Sequence, residues 1–128
     1  GFDGFGVTSP QLGLAKKRFV DWLDAGYDGE MTYIKRGEEK RKNPDMVLQG
    51  VRSILCFRTN YFTIEKDMSY VEQRDNADIS IYALNKDYHD NITSRLRQME
   101  KKIQKEVEGC RTKIYVDTGP ILEKQINY

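Results

Sequence analysis

The sequence predicts an α/β or α+β domain: a small mixed sheet flanked by helices. Three observations carry this expectation. Apolar residues recur at helical spacing in two stretches, 10–25 and 92–107. Two runs rich in β-branched and aromatic residues, Val51–Tyr61 and Lys113–Val116, read as strands. Strand-like and helix-like segments alternate along the chain, the pattern of helices laid on a sheet.

The elements follow in order. Gly1–Val7 (GFDGFGV) alternates Phe with Gly and reads as a short strand followed by a turn. Ser9-Pro10 supplies an N-cap and a first-turn proline. Leu12, Ala15, Phe19, Trp22 and Leu23 then form the apolar stripe of a helix over 10–25, closed by Gly26. Tyr27–Ile34 reads as a loop and Lys35–Lys42 (KRGEEKRK) as a charge run. Asn43-Pro44-Asp45 repeats the cap-plus-proline signal and opens a short helix that Gly50 ends. After the Val51–Tyr61 strand, residues 62–78 read as a long polar loop and Ile79–Leu84 as an apolar lead-in. Ile92, Leu96, Met99, Ile103 and Val107, at spacings of 4, 3, 4 and 4, give the strongest helix signal, ended by Gly109. Asp117-Thr118-Gly119-Pro120 reads as a strand-to-helix turn.

The length of 128 residues suits one domain, since domains run to roughly 100–200 residues. Lys and Arg total 21 against 20 Asp and Glu, a formal net charge of +1. Near-zero net charge with 11% aromatics disfavours disorder. Apolar runs such as Ile54-Leu55-Cys56-Phe57 fall far short of the ~18 residues a membrane span needs. The first residues lack the basic and apolar stretches of a secretory signal. Cys56 and Cys110 are too few and too far apart for a disulfide scaffold or a self-contained cysteine metal site, so a cytoplasmic protein with no metal held by this chain is expected. The chain starts at Gly1 without a Met and stops at Tyr128 just inside a predicted helix, so a piece of a longer protein is also expected.

Chemistry-bearing residues gather in a few places. Asp117 stands at the carboxyl end of a predicted strand and before a predicted helix, where α/β folds bind ligands and where a helix dipole favours a carboxylate. It can act as a general acid or only cap the helix. Asp87-Tyr88-His89 places three proton-handling groups ahead of the long helix. His89, the one histidine, titrates near neutrality and can serve as acid, base or metal ligand; alternatively Asp87 or Asp90 caps the helix while Tyr88 and His89 pack. The charge run holds five basic residues, able to meet phosphates or to form a solvated face. Lys124 is placed to reach a substrate oxygen or to stay exposed. Cys56 reads as inert core. No phosphate-cradling glycine loop and no nucleophile elbow is present.

Six pieces stand collinear over nearly the whole chain: GFDGFGV, WLDAGYDGEMTYI, KRKNPDMVLQGVRSIL, Asn60-Tyr61, IYALNKDYH and VDTGPILEK. In that order and spacing the chain resembles the N-terminal domain of epoxyqueuosine reductases, cobalamin- and iron–sulfur-dependent enzymes of tRNA modification. Ile81 stands where the family usually has a basic residue, and Asn85 where it favours glycine.

The resemblance implies reductive conversion of epoxyqueuosine, at the wobble position of certain tRNAs, to queuosine. Cobalamin is the implied redox centre, fed by two [4Fe–4S] clusters and a cellular electron donor. It makes residues 1–128 one cobalamin- and substrate-facing domain, with the iron–sulfur domain outside the chain and the isolated chain inactive. Asp117 is the implied proton donor to the opening epoxide, expected to keep a raised pKa inside a closed pocket. Asp87, Tyr88 and His89, with Asn60, Tyr61 and Lys124, are implied pocket residues. Arg36, Lys40 and Arg41 of the charge run are candidates for holding RNA backbone phosphates, an inference from charge and not from the resemblance. Two other readings stand beside it: a non-catalytic corrinoid- or tRNA-binding module, and a corrinoid reductase of another small substrate.

Overall fold

The computed structural model describes residues 1–62, 79–84 and 86–126. Its elements run β1 (Gly4–Thr8), α1 (Leu14–Asp24), α2 (Thr32–Arg36), α3 (Glu38–Lys42), a 3-10 turn (Pro44–Met46), β2 (Ile54–Arg58), a second 3-10 turn (Ile81–Leu84), α4 (Tyr88–Glu106) and α5 (Glu123–Ile126). The predicted class holds, a small sheet accompanied by helices. The loop expected over 62–78 lies, apart from Phe62, outside the described residues, as do Asn85 and the side chain of Ile81.

The sheet has two strands. β1 and β2 pair antiparallel, with Phe5 opposite Phe57 and Val7 opposite Leu55. Directly opposed residues share a face, so these four make one apolar face. Phe5, Val7 and Leu55 on it are exposed, and the ring of Phe2 lies 4.7 Å from that of Phe57. The Asp3 amide donates to the Arg58 carbonyl at 3.0 Å, and the Asp3 carboxylate accepts the Asn60 amide at 2.7 Å. These bonds extend the ladder past the carboxyl end of β2 and fix the departure of Asn60 and Tyr61.

The helices are shorter than the periodicity suggests. α1 starts at Leu14 and not at Pro10, because Ser9 closes a local turn through the Gln11 amide at 3.0 Å and Gly13 adopts a φ of 50°. It ends as expected: Gly26, at a φ of 71°, donates its amide to the Leu23 carbonyl. The loop expected over 27–34 gives way at Thr32 to α2. The run 35–42 is folded, since α3 takes its second half, with acidic residues in the first turn and basic ones in the last. Asn43 caps the turn at Pro44 through the Asp45 amide, but that turn is 3-10 and only three residues long.

α4 is the longest element. Its Asp87 cap accepts the His89 amide at 2.9 Å, which settles Asp87 over Asp90 as the cap. Ile92, Leu96, Met99 and Ile103 are half-buried on one face, whereas Ser94, Arg97, Gln98 and Lys101 are exposed. Arg95 ties this helix to the sheet through the Gly1 carbonyl at 3.1 Å and the Thr59 hydroxyl at 3.5 Å. The expected strand over Lys113–Val116 does not form: among the described residues no third strand lies beside it. β-Propensity reflects a fit to a neighbouring sheet, and without that neighbour the run stays irregular. The helix expected from Pro120 begins at Glu123. Leu23, Leu122 and Ile126 are the buried apolar side chains of the described residues. No helix among those residues is long and apolar enough to cross a membrane.

Candidate active site

Asp117 sits at the tip of a tight turn. The Thr118 amide donates to the Val116 carbonyl at 2.6 Å, and Asp117 between them has a φ of 45°. It is the one non-glycine residue with positive φ among the described residues. Such a conformation costs about 1–3 kcal/mol and gathers at functional sites. Its carboxylate meets the first turn of α4, and α5 begins only at Glu123, so the helix-cap role considered for Asp117 is not realised.

Two neighbouring α4 residues meet that carboxylate. The Tyr88 hydroxyl donates to Oδ2, and His89 Nε2 lies 2.9 Å from Oδ1. The other ring nitrogen of His89, Nδ1, lies 2.7 Å from Asp87 Oδ1. Ionised carboxylates only accept, so the two of them together favour the form of His89 in which both ring nitrogens carry hydrogen. The Tyr88 and His89 rings stack with centroids 4.2 Å apart. Tyr61 and Tyr82 extend this cluster by edge-on contacts, Tyr61 to Tyr82 at 6.3 Å and Tyr82 to Tyr88 at 6.0 Å. Asn60 holds its own turn, with its side chain bonded to both the amide and the carbonyl of Phe62.

The protonation pattern follows from these contacts. The Tyr88 hydroxyl, and less strongly His89, hold the Asp117 carboxyl below its ordinary value. Hydrogen bonds from the His89 amide and ring do the same for Asp87. Asp117 and then Asp87 raise His89. The bond to Asp117 pushes the Tyr88 phenol up to about 12, so it stays neutral. The expectation of a raised Asp117 pKa in a closed pocket is therefore corrected. Its side chain is 47% exposed in this chain, and donors that favour the ionised form outweigh its slight desolvation.

A second carboxyl, which sequence reasoning passed over, stands beside it. Glu123 accepts the backbone amide of Asp117, and burial followed by the Asp117 charge pushes its carboxyl up. Its signal was its place in the PILEK segment, six residues after Asp117, where attention fell on Lys124. Burial, with a smaller contribution from the Glu123 charge, also pushes up the Cys56 thiol, which suits an inert cysteine.

Asp87, Tyr88, His89 and Asp117 thus converge, with Asn60 and Tyr61 at the edge of the cluster. Lys124 is exposed in the single turn of α5 and shares no hydrogen bond with them among the described residues. Arg36 closes α2, and Lys40 and Arg41 lie on α3. Their neighbours are committed to carboxylates: Lys35 lies 3.1 Å from the buried Asp28, and Lys42 pairs with Glu38 at 2.9 Å and Glu39 at 2.5 Å. Arg36, Lys40 and Arg41 make no ion pair among the described residues. No group of three or more His, Cys, Asp or Glu side chains among those residues is arranged to hold a metal ion.

The fold and the site define an acid–base centre carried on a small α+β domain. The family model described as "Epoxyqueuosine reductase QueG, DUF1730" matches residues 41–118, a span that includes Asp87, Tyr88, His89 and Asp117. The chain is 35% identical over 127 residues to the epoxyqueuosine reductase of Pseudomonas aeruginosa, covering 98% of this chain and 35% of the relative. It is 36% identical over 126 residues to that of Gloeobacter violaceus, covering 97% and 38%. Against the Escherichia coli protein of the same name identity is 30% over 127 residues, covering 98% and 34%. The chain belongs to the epoxyqueuosine reductase family, a family of oxidoreductases of the queuosine pathway. It spans about a third of the length of the curated relatives it matches. No solved structure matches it.

Proposed function

We propose that this chain is the N-terminal, substrate-facing domain of a cytoplasmic epoxyqueuosine reductase that converts epoxyqueuosine in tRNA to queuosine. The observation that carries this reading is the convergence of Tyr88 and His89 on the Asp117 carboxylate, inside the span the family model matches. Removing an epoxide oxygen as water takes up two electrons and two protons. The residues of this chain supply the proton side of that balance.

The residues fit one wall of a cobalamin site. Tyr61 and Tyr82 present exposed aromatic faces beside the acid centre, and flat apolar faces suit the edge of a corrin ring. Cobalamin, when bound, supplies the reducing centre for the carbon–oxygen bond cleavage. The iron–sulfur clusters do not fit this chain, since a [4Fe–4S] cluster takes four cysteines and the chain has two. Their ligands, and the contact with the electron donor, belong in this reading to another part of the full-length protein.

Within this chain, the Asp117 carboxylate faces the epoxide oxygen and relays to it, as the ring opens, a proton taken from the His89 ring. His89 supplies that proton through Nε2, and Asp87 on Nδ1 holds the ring in place and keeps it cationic. Tyr88 orients the carboxylate and remains protonated. The nucleoside must leave its stack to reach this centre.

Full-length protein loaded with cobalamin and reduced clusters tests the reading directly: epoxyqueuosine-containing tRNA should be converted to queuosine-containing tRNA. Cofactor binding without conversion would make the chain a binding module. Turnover of halogenated substrates instead would make it a different corrinoid reductase. The reading frame beyond Tyr128 tests the domain assignment, which requires cysteine-rich cluster segments of the C-x-x-C type.

A further inference from the structure

We propose that the exposed face of α4, from His89 to Lys101, is the track for the RNA backbone that leads into the acid centre. This inference rests on the tRNA-modifying function proposed above. A groove of about 440 Å³ follows this face, lined by His89, Thr93, Ser94, Arg97, Gln98 and Lys101, with Asp90 at the His89 end. A second depression, of about 450 Å³, runs from His89 through Tyr88 and Asp87 to Tyr82. His89 lines both, so the groove and the acid centre meet at that residue.

The chemistry of the lining fits a phosphodiester strand. Thr93, Ser94 and Gln98 donate neutral hydrogen bonds, the kind that hold phosphates and sugars. Arg97 offers a planar fork that matches phosphate oxygens in pairs, and Lys101 adds a compact cation. Neither cation forms an ion pair among the described residues, in contrast to Lys35 and Lys42 of the charge run. The one carboxylate of the groove, Asp90, stands at the end where the strand turns inward and a base leaves the stack. From position 89 to 101 the helix rises by about 18 Å, since each residue adds 1.5 Å. That length holds several phosphates of one strand, which lie ~3.4 Å apart along a duplex axis.

The test is the affinity of the full-length protein for an anticodon stem-loop RNA over a range of salt concentrations. The double variant Arg97→Ala with Lys101→Ala should bind at least ten times more weakly. Its slope of log affinity against log salt should flatten by about 1.4, at ~0.7 per lost contact for single-stranded RNA. The charge-preserving pair Arg97→Lys with Lys101→Arg should restore most of the affinity, which separates loss of charge from loss of fold. Unchanged affinity and slope in the alanine pair, or loss with Arg36→Ala, Lys40→Ala and Arg41→Ala alone, would overturn the α4 track. Failure of the unaltered protein to bind the RNA at all would overturn the tRNA reading beneath it.

Discussion

His89 Nε2 lies 2.9 Å from Asp117 Oδ1, although 28 residues separate the two in the chain. The same ring lies 2.7 Å from Asp87 on its other side. The two carboxylates favour the ring form that carries one proton toward each, and both are partly open to solvent, Asp87 at 63% and Asp117 at 47%. In the proposed reaction this pair is the proton store beside the opening epoxide.

The network predicts a pH window for stability. His89 is raised in the folded chain, so its contribution is complete below the ordinary value of 6.5 and is lost as pH climbs through the raised value. Asp87 and Asp117 are lowered, so theirs is complete above the ordinary 3.8 and is lost as pH falls through the lowered values. The three contributions overlap from roughly pH 4 to pH 6.5. Melting temperature followed across pH should decline on the alkaline side for the unaltered protein. His89→Gln should remove that alkaline decline, and a variant that kept it would refute the assignment to His89.

Tyr88→Phe removes the first cause of the lowered Asp117 carboxyl. Its pKa should move up toward the ordinary carboxylate value, readable by carbon NMR of the Asp117 carboxyl. Turnover should fall roughly tenfold, short of the 10²–10⁴-fold cost of losing a general acid outright. A purely structural role for Tyr88 would leave the carboxyl titration where it was.

Asp87→Ala should have two effects at once. It removes the cap of α4, which lowers the melting temperature by a few degrees. It also removes one of the two carboxylates that raise His89, so the alkaline limb of the pH–rate profile should move to lower pH. Asp90→Ala, one turn position away and not the cap, should leave that limb in place.

Gly119 is buried, and a Cβ there would meet the Tyr115 ring at 2.5 Å. Gly119→Ala should therefore destabilise by about 1–3 kcal/mol, as overpacking does. Gly6 on β1 has open space where its Cβ would go. Gly6→Ala should be tolerated, and chemical denaturation of both variants reads the contrast.

Much of this was legible in advance. The spacing from Ile92 to Ile103 marks α4 because a half-buried helix needs an apolar residue every third or fourth position. Asn43 before Pro44 marks its turn because the cap is local chemistry. The Lys113–Val116 strand failed for the opposite reason: a strand depends on a neighbour that local composition does not reveal. Asp117 stood out as a residue, yet its positive φ did not, since it goes with the Val116–Thr118 hydrogen bond. Spacing alone gave no sign that Asp87 and Asp117 flank one ring; only the resemblance grouped them. Glu123 was missed because a carboxylate at a helix start reads as a dipole partner, and its bond to the Asp117 backbone is a tertiary contact.

The most direct test of the account is Asp117→Asn in the full-length, cobalamin-loaded protein, assayed in a single turnover on epoxyqueuosine-containing tRNA. Asn tolerates positive φ, so the backbone turn is kept while the carboxylate is lost. The account predicts that cobalamin absorbance and RNA binding persist while conversion to queuosine falls by about 10²-fold or more. Conversion at the unaltered rate would show that the proton comes from elsewhere and that the centre on Asp117 is not the one that works.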